Sequence, residues 1–182
     1  MRKTFASLAL AAAFALSLTA AAGATPASRF GIDFAVVPQP GLLFAGSVDP
    51  GYSGTAIALT PFYQSGMLRL EAGLEAGSSP IGWQVLAPLR AGARFLLPPF
   101  TLEALAEAAP GAALFQQAPL LLLGAGALGR FTWSAGSRFG IFVSVGVRAT
   151  FCPAYGAFTG LNYSTLDIPL SLGVRWIFKA NT

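Results

Sequence analysis

Where the charges sit limits this chain more than any other feature. Between residues 138 and 150, one parity holds Phe139, Ile141, Val143, Val145, Val147 and Ala149. The other holds Arg138, Gly140, Phe142, Ser144, Gly146 and Arg148. Between 165 and 178, Leu166, Ile168, Leu170, Leu172, Val174, Trp176 and Phe178 alternate with Asp167, Pro169, Ser171, Gly173, Arg175 and Ile177. Leu68, Leu70, Ala72 and Leu74 separate likewise from Arg69, Glu71, Gly73 and Glu75, and Phe100, Leu102, Ala104 and Ala106 from Thr101, Glu103, Leu105 and Glu107. Successive side chains of a β-strand point to opposite faces, so each segment builds one apolar face and one face that carries the charge. Eight segments alternate in this way, at 29–37, 53–62, 67–76, 83–95, 100–109, 120–132, 138–150 and 165–178.

Two architectures use such strands. A soluble sandwich or lipocalin-like barrel turns the apolar face inward and shows charge to water. A transmembrane barrel does the reverse. Composition favours the second: 54% of residues are hydrophobic and 10% are charged, against about 25% charged in an ordinary soluble domain. The polar face is rich in Gly and Ser rather than the Lys and Glu of a wetted surface. After the amino terminus no apolar run reaches the roughly 20 residues of a spanning helix, and the longest, "PLLLLGAGALG" (119–129), is glycine-rich. Aromatic residues also gather at strand ends. Phe30, Phe62, Tyr63, Phe95, Phe100, Phe131, Trp133, Phe139, Trp176 and Phe178 fall at one end of an up-and-down arrangement, and Tyr52, Trp83, Phe151 and Tyr163 at the other. Two such girdles mark the two membrane interfaces. Turns at 63–66, 97–99 and 134–137 are short, while connections at 38–52, 77–82, 110–119 and 151–164 read as longer loops. The sequence therefore predicts an all-β fold, an eight-stranded antiparallel up-and-down transmembrane β-barrel. The four longer loops are expected to face outward.

The first 24 residues read as a cleaved secretory signal peptide. Arg2 and Lys3 precede the apolar run Phe5–Leu18 and the small residues "TAAAGATPAS", with cleavage after Ala22 or Ala24. Residues 25–182 are expected to form a single barrel domain. Without Arg2 and Lys3, nine basic residues face seven acidic ones, a net charge of +2. They are spread along the chain, which excludes a nucleic-acid footprint.

Parity sends Asp33, Glu71, Glu75, Glu103, Glu107 and Asp167 into the lumen, with Arg69, Arg90, Arg94, Arg130, Arg138, Arg148 and Arg175. The interior of an eight-stranded barrel is just wide enough for side chains to fill. Buried charge is costly unless paired, and guanidinium forks fit carboxylates. An internal ion-pair network is expected to plug the lumen, with Glu103 near Arg90 or Arg94, and Asp33 facing Arg175 across the closing seam. Paired carboxylates also serve general acid–base chemistry, but each here has an arginine to neutralise it. The chain has no histidine, so neither a Ser–His pair nor an imidazole metal ligand can form. The sequence holds no phosphate-binding loop or metal-ligand cluster, and no enzyme activity or cofactor is expected.

Toward the outer end the inward positions turn apolar: Val37, Ala56, Leu86, Pro88, Leu120, Leu122 and Pro169. The outer loops carry one charge among them, Asp49. Such a region could take a small hydrophobic ligand, or the loops could pack as a lid. Pro88 and Pro169 each remove a ladder hydrogen bond, which marks either a lateral gate or a local bulge. Cys152, the single cysteine, reads as a small packing residue, with an intermolecular disulfide as the alternative.

The chain resembles the small eight-stranded outer-membrane barrels of the OmpA-transmembrane, OmpX and OmpW type. The resemblance rests on the signal peptide, the eight alternating segments, the alternating connections and the aromatic last strand "LSLGVRWIF". It implies a bacterial outer-membrane protein, a monomer in contact with outer-membrane lipid, and recognition by the barrel-assembly machinery through a terminal aromatic. Here that aromatic is Phe178, followed by "KANT". The OmpW type implies passage of small hydrophobic molecules. The OmpX and OmpA types imply structural or adhesive surface roles, although their protruding strands and large loops are not evident in this sequence.

Overall fold

The computed structural model describes residues 28–44, 48–153 and 163–178, with the side chains of the second strand described from Gly54 onward. The segment read as a signal peptide and the closing "KANT" lie outside the described residues. Eleven strands form one antiparallel sheet: β1 (Arg29–Phe44), β2 (Val48–Ser65), β3 (Leu68–Ala72), β4 (Leu74–Ser79), β5 (Gly82–Leu86), β6 (Leu89–Leu97), β7 (Phe100–Phe115), β8 (Ala118–Ser134), β9 (Phe139–Cys152), β10 (Tyr163–Asp167) and β11 (Leu170–Ile177). Three pairs, β3 with β4, β5 with β6 and β10 with β11, each make one interrupted stave, so the ring has eight staves. It closes where β1 pairs with both parts of the last stave, Gly31 to Val36 against Ile177 to Leu172, and Gly41 to Phe44 against Asp167 to Ser164.

The alternation places the staves. In β9, Phe139, Ile141, Val143, Val145 and Val147 are exposed, and Gly140, Phe142, Ser144, Gly146 and Arg148 are buried. Leu172, the most exposed leucine among the described residues, presents 62% of its surface, whereas Arg148 presents 1%. In water an apolar exterior of this extent would drive aggregation. Around a hydrocarbon core it is the favourable face, and closure leaves no strand edge unpaired.

The interruptions do not open the wall. Between β5 and β6, the Ala87 amide donates to the Pro110 carbonyl at 2.7 Å, and the Pro88 carbonyl accepts from Gly73 at 2.7 Å. Between β10 and β11, the Ile168 amide donates to Pro40 at 2.8 Å, and Pro169 accepts from Gly146 at 3.1 Å. Each proline removes one donor, and the neighbouring backbone keeps the seam joined.

The outer connections differ from expectation. Segment 77–82 is mostly strand, turning at residues 80–81, and 110–119 is strand up to a two-residue turn at Gln116 and Gln117. Both glutamines hold positive φ, 48° and 67°, as a tight hairpin turn between right-twisted strands requires. Asn-Gly is the usual signal for that geometry, and its absence hides the turn. Strands β7 and β8 stay paired from Phe100↔Trp133 to Phe115↔Ala118. They are 16 and 17 residues long, against the ~9–11 that cross a bilayer. Protruding strands, not evident from the sequence, are therefore present. Most of segment 38–52 is also strand, whereas residues 154–162 lie outside the described set.

The girdle at the short-turn end holds Phe30, Tyr63, Phe95, Phe100, Phe131, Trp133, Phe139, Trp176 and Phe178, exposed or, for Tyr63, half-buried. Phe62 departs from it. It shares the parity of Ala58 and Thr60, so its ring is buried in the lumen. Tyr163 likewise points inward and packs with Leu120 and Leu122. A lipid-facing assignment for the middle of a stave has a direct consequence. Leu172→Arg should destabilise the folded barrel in phospholipid vesicles by about 2–4 kcal/mol, read by denaturant titration, whereas Phe178→Arg at the interface should cost about 1 kcal/mol or less.

Candidate functional site: the charged lumen

The inward parity brings ten ionisable side chains into one network. In its lower layer, Asp33 of β1, Glu71 of β3 and Glu103 of β7 meet Arg69 of β3, Arg130 of β8 and Arg175 of β11. Arg175 grips Asp33 through Nε at 2.9 Å and Glu103 through Nη1 at 2.8 Å. Arg69 donates from Nη2 to Asp33 at 2.7 Å and from Nε to Glu71. Arg130 reaches Glu71, Asp33 at 3.0 Å and Glu103 at 3.3 Å. In the layer above, Arg90 and Arg148 share Glu107, each at 2.6 Å, and both hold Glu75. Arg90 joins the layers by its 3.4 Å contact with Glu71. Five guanidiniums meet five carboxylates, every one buried.

Two aromatic rings complete the lower layer. Arg69 lies over Phe62 at 3.8 Å from the ring centroid, and Arg130 over Phe142 at 4.8 Å. Arg175 approaches both rings, at 5.1 and 5.7 Å. Glycine makes room for them: a Cβ on Gly31 would collide with Phe62 and the Trp176 carbonyl, and one on Gly173 with Phe142 and Ala35. Parity already sets Phe142 with the charged face, and it would have set Phe62 there with Ala58 and Thr60.

Asp33 and Arg175 are register partners across the closing seam, and they are ion-paired. Glu103 is the register partner of Arg94 on one side and of Arg130 on the other; it ion-pairs with Arg130 along the wall and with Arg69 and Arg175 across the lumen, but not with Arg94. Three expected members stand apart. Arg138 is exposed in the turn before β9, outside the paired ladder, where alternation no longer sets direction. Arg94 is half-buried near the short-turn end and donates from Nε to the Gly66 carbonyl at 3.0 Å. Asp167 does point inward, but its partners are hydroxyls, Thr165 at 3.1 Å and Thr150 at 3.5 Å, and its Oδ1 has no partner among the described residues. Its register neighbour Arg148 is already drawn toward Glu75 and Glu107.

Above the network the lumen mixes apolar and neutral polar groups: Gln84 donates to Gln39 at 3.2 Å, Thr150 and Thr165 flank Asp167, and apolar side chains fill between them. Leu86, Ala113, Leu120, Leu122, Cys152 and Tyr163 form one buried cluster, with Leu43, Ile81 and Phe115 against it. Val37 packs with Ala35, Ala56, Ala58 and Phe142, and Pro88 and Pro169 are buried. A recess of about 700 Å³ is lined mainly by outward-facing Val36, Leu102, Phe131, Val143, Val145, Leu170 and Leu172. None of the six expected ligand residues, Val37, Leu86, Pro88, Leu120, Leu122 and Pro169, lines it. Cys152 is a buried free thiol within the apolar cluster.

An apolar wall around a paired, charged interior defines an eight-stranded transmembrane β-barrel. The fold is similar to that of Neisserial surface protein A, with 15% identity over 82% of this chain and 97% of that one, and a TM-score of 0.54. Ail, the attachment invasion locus protein of Yersinia pestis, aligns with a heparin analogue bound at 11% identity, covering 82% and 99% of the two chains with a TM-score of 0.47. A de novo designed transmembrane β-barrel aligns at 13% identity, covering 85% and 98% with a TM-score of 0.43. No family model matches the sequence, nor does any curated protein.

The network and the lone carboxylate should respond oppositely to neutralisation. Removing one partner of a buried pair leaves an uncompensated charge and costs about 3–5 kcal/mol. Glu71→Gln takes one carboxylate from Arg69, Arg90 and Arg130 at once and leaves the network with a net positive charge, so it should lower unfolding stability in vesicles by that order. Asp167→Asn removes a carboxylate that no arginine holds and should be neutral or stabilising. A loss at Asp167 as large as that at Glu71 would contradict this division of the lumen.

Proposed function

We propose that this chain is a non-enzymatic surface barrel of a bacterial outer membrane, monomeric in contact with lipid, with a lumen closed to solutes. The observation that carries the reading is the content of the lumen. A neutral network spans its lower part, and an apolar cluster together with the Gln39–Gln84 pair occupies the part above. With transport set aside, the surfaces left for function are the outer strand ends and loops. Strands longer than the bilayer requires carry them outward. Exposed apolar side chains such as Leu114 lie near the β7–β8 turn, and the outer loops hold a single charge, Asp49. These ends suit contact with an uncharged or apolar surface on a partner. The likeness to a Neisserial surface protein is in keeping with such a role. The test is adhesion of cells displaying the protein to epithelial monolayers and matrix proteins. Replacing residues 113–118 with a Gly-Ser turn, or deleting 154–162, should reduce adhesion several-fold. Adhesion unchanged in both variants would count against the reading.

The buried apolar cluster supports a second reading, binding of a small hydrophobic molecule at Val37, Leu86, Leu120 and Leu122, with Pro88 and Pro169 beside it. This requires the packed cluster to part. Vesicles bearing the protein should then take up an apolar fluorescent probe faster than empty vesicles, and Leu120→Arg should abolish the gain. Equal uptake by the two proteins would sink it.

A further inference from the structure

One carboxylate of the lumen has no arginine of its own. Five guanidiniums answer five carboxylates in the network, and Asp167 is a sixth, with 4% of its surface exposed. Burying an ion costs free energy unless an opposite charge or hydrogen bonds replace water. On β9, the register partner of Asp167 is Arg148, whose Nε and Nη2 are bound to Glu107 and Glu75. On β1 its register partner is Gly41, and segment 38–44 holds no charge. β10 carries no other charged residue, and Arg94 lies by the short turn at Gly66. Among the described residues no charged group offsets the burial of the Asp167 carboxyl.

Neutral oxygens stand around it instead. Thr150 and Thr165 are register partners, both buried, and their hydroxyls donate to Asp167 Oδ2 at 3.5 and 3.1 Å. Each hydroxyl oxygen keeps its lone pairs, and Asp167 Oδ1 has no partner among the described residues. Gln39, 1% exposed, stands on the same inward face of β1, two positions before Gly41. Diagonal neighbours across a ladder are within reach of long side chains. The Gln39 Oε1 accepts from Gln84 at 3.2 Å, and its Nε2 has no partner. Turning both amides over keeps that bond and frees an oxygen in place of the nitrogen.

We propose that Asp167, with the hydroxyls of Thr150 and Thr165 and the amide of Gln39, forms a binding site for a small monovalent cation, sodium or potassium. Charge sets the valence. One carboxylate among neutral oxygens is balanced by a single positive charge, whereas a divalent cation would leave the buried site charged again. Calcium also takes 6–8 oxygen ligands, carboxylates prominent among them, and Asp167 is the one carboxylate here that arginines do not hold. The bound ion does for Asp167 what the guanidiniums do for the other five carboxylates.

Stability measured against the identity of the salt tests the site. The protein in phosphatidylcholine vesicles, at mildly alkaline pH, is unfolded with urea in sodium, potassium or choline chloride at one ionic strength. Screening is then the same in all three, and choline is too large for a packed lumen. A ligand held by the folded state alone multiplies the folding equilibrium constant by 1 + [L]/Kd. Sodium or potassium should therefore raise that constant saturably, about tenfold at ten times the dissociation constant. Asp167→Asn should remove the response, and Thr150→Val/Thr165→Val should move it to several-fold higher cation concentration. In choline chloride Asp167→Asn should be at least as stable as the unaltered protein, which separates loss of the site from loss of the fold. Equal stability of the unaltered protein in all three salts would overturn the proposal, and so would a cation response that survives Asp167→Asn. Stabilisation on acidification with no response to sodium or potassium would also overturn it, because the balancing charge would then be a proton.

Discussion

Five arginines and five carboxylates share one narrow lumen, and the rest of the barrel is arranged around that fact. Some contacts stay within one hairpin, as Arg90 with Glu107 and Arg130 with Glu103 do, but others tie distant staves together. Asp33 and Arg175 are 142 positions apart, and Glu75 and Arg148 are 73 apart. Each stave but the second supplies at least one charge, and the second supplies the Phe62 ring and Gln64, which accepts from Arg69. A network of this kind stabilises only when it is complete, because the cost of desolvating each ion is recovered from partners on other staves. The same requirement specifies register. A one-residue slip of any stave would carry its charges to the lipid face and its leucines into the lumen.

The exterior follows from the interior. Once every charge of the spanning region is used inward, the outer face can be uniformly apolar, and closure of β1 on β10 and β11 leaves no edge for water or another chain. The prolines of the wall fit the same logic. Pro88 and Pro169 interrupt staves, yet carbonyls on either side still take up the neighbouring amides.

Much of this was legible in the sequence because alternation is a two-state code, and a buried charge in the wrong state is expensive. Parity places Asp33, Glu71, Glu103, Arg130 and Arg175 inward, and even names the Asp33–Arg175 seam. It fails where its physical basis ends. Arg138 precedes the ladder, so nothing forces its direction. Glu103 sits between Arg94 and Arg130 in register, and it pairs with Arg130 beside it and with Arg69 and Arg175 across the lumen rather than with Arg94. Phe62 was hidden because an aromatic near a strand end suggests an interface, whereas here a ring fills the lumen against Arg69. The outer strand ends are hidden for another reason: Gln116 and Gln117 make the turn without the Asn or Gly that usually announces it, so the sequence suggests a loop where the structure has strand. The expected apolar outer lumen also holds the Gln39–Gln84 pair, and composition cannot tell an empty cavity from Leu86, Leu120 and Leu122 packed against one another.

Ion conductance tests the closed lumen most directly. The purified protein would be inserted in planar phospholipid bilayers in 1 M KCl and its single-channel current recorded under applied voltage. A lumen spanned by a neutral, paired network and capped by packed leucines and the Gln39–Gln84 pair predicts a flat baseline, with current steps appearing only when several members are removed together, as in Glu71→Ala/Arg90→Ala/Arg130→Ala. Sustained, uniform current steps from the unaltered protein would contradict it.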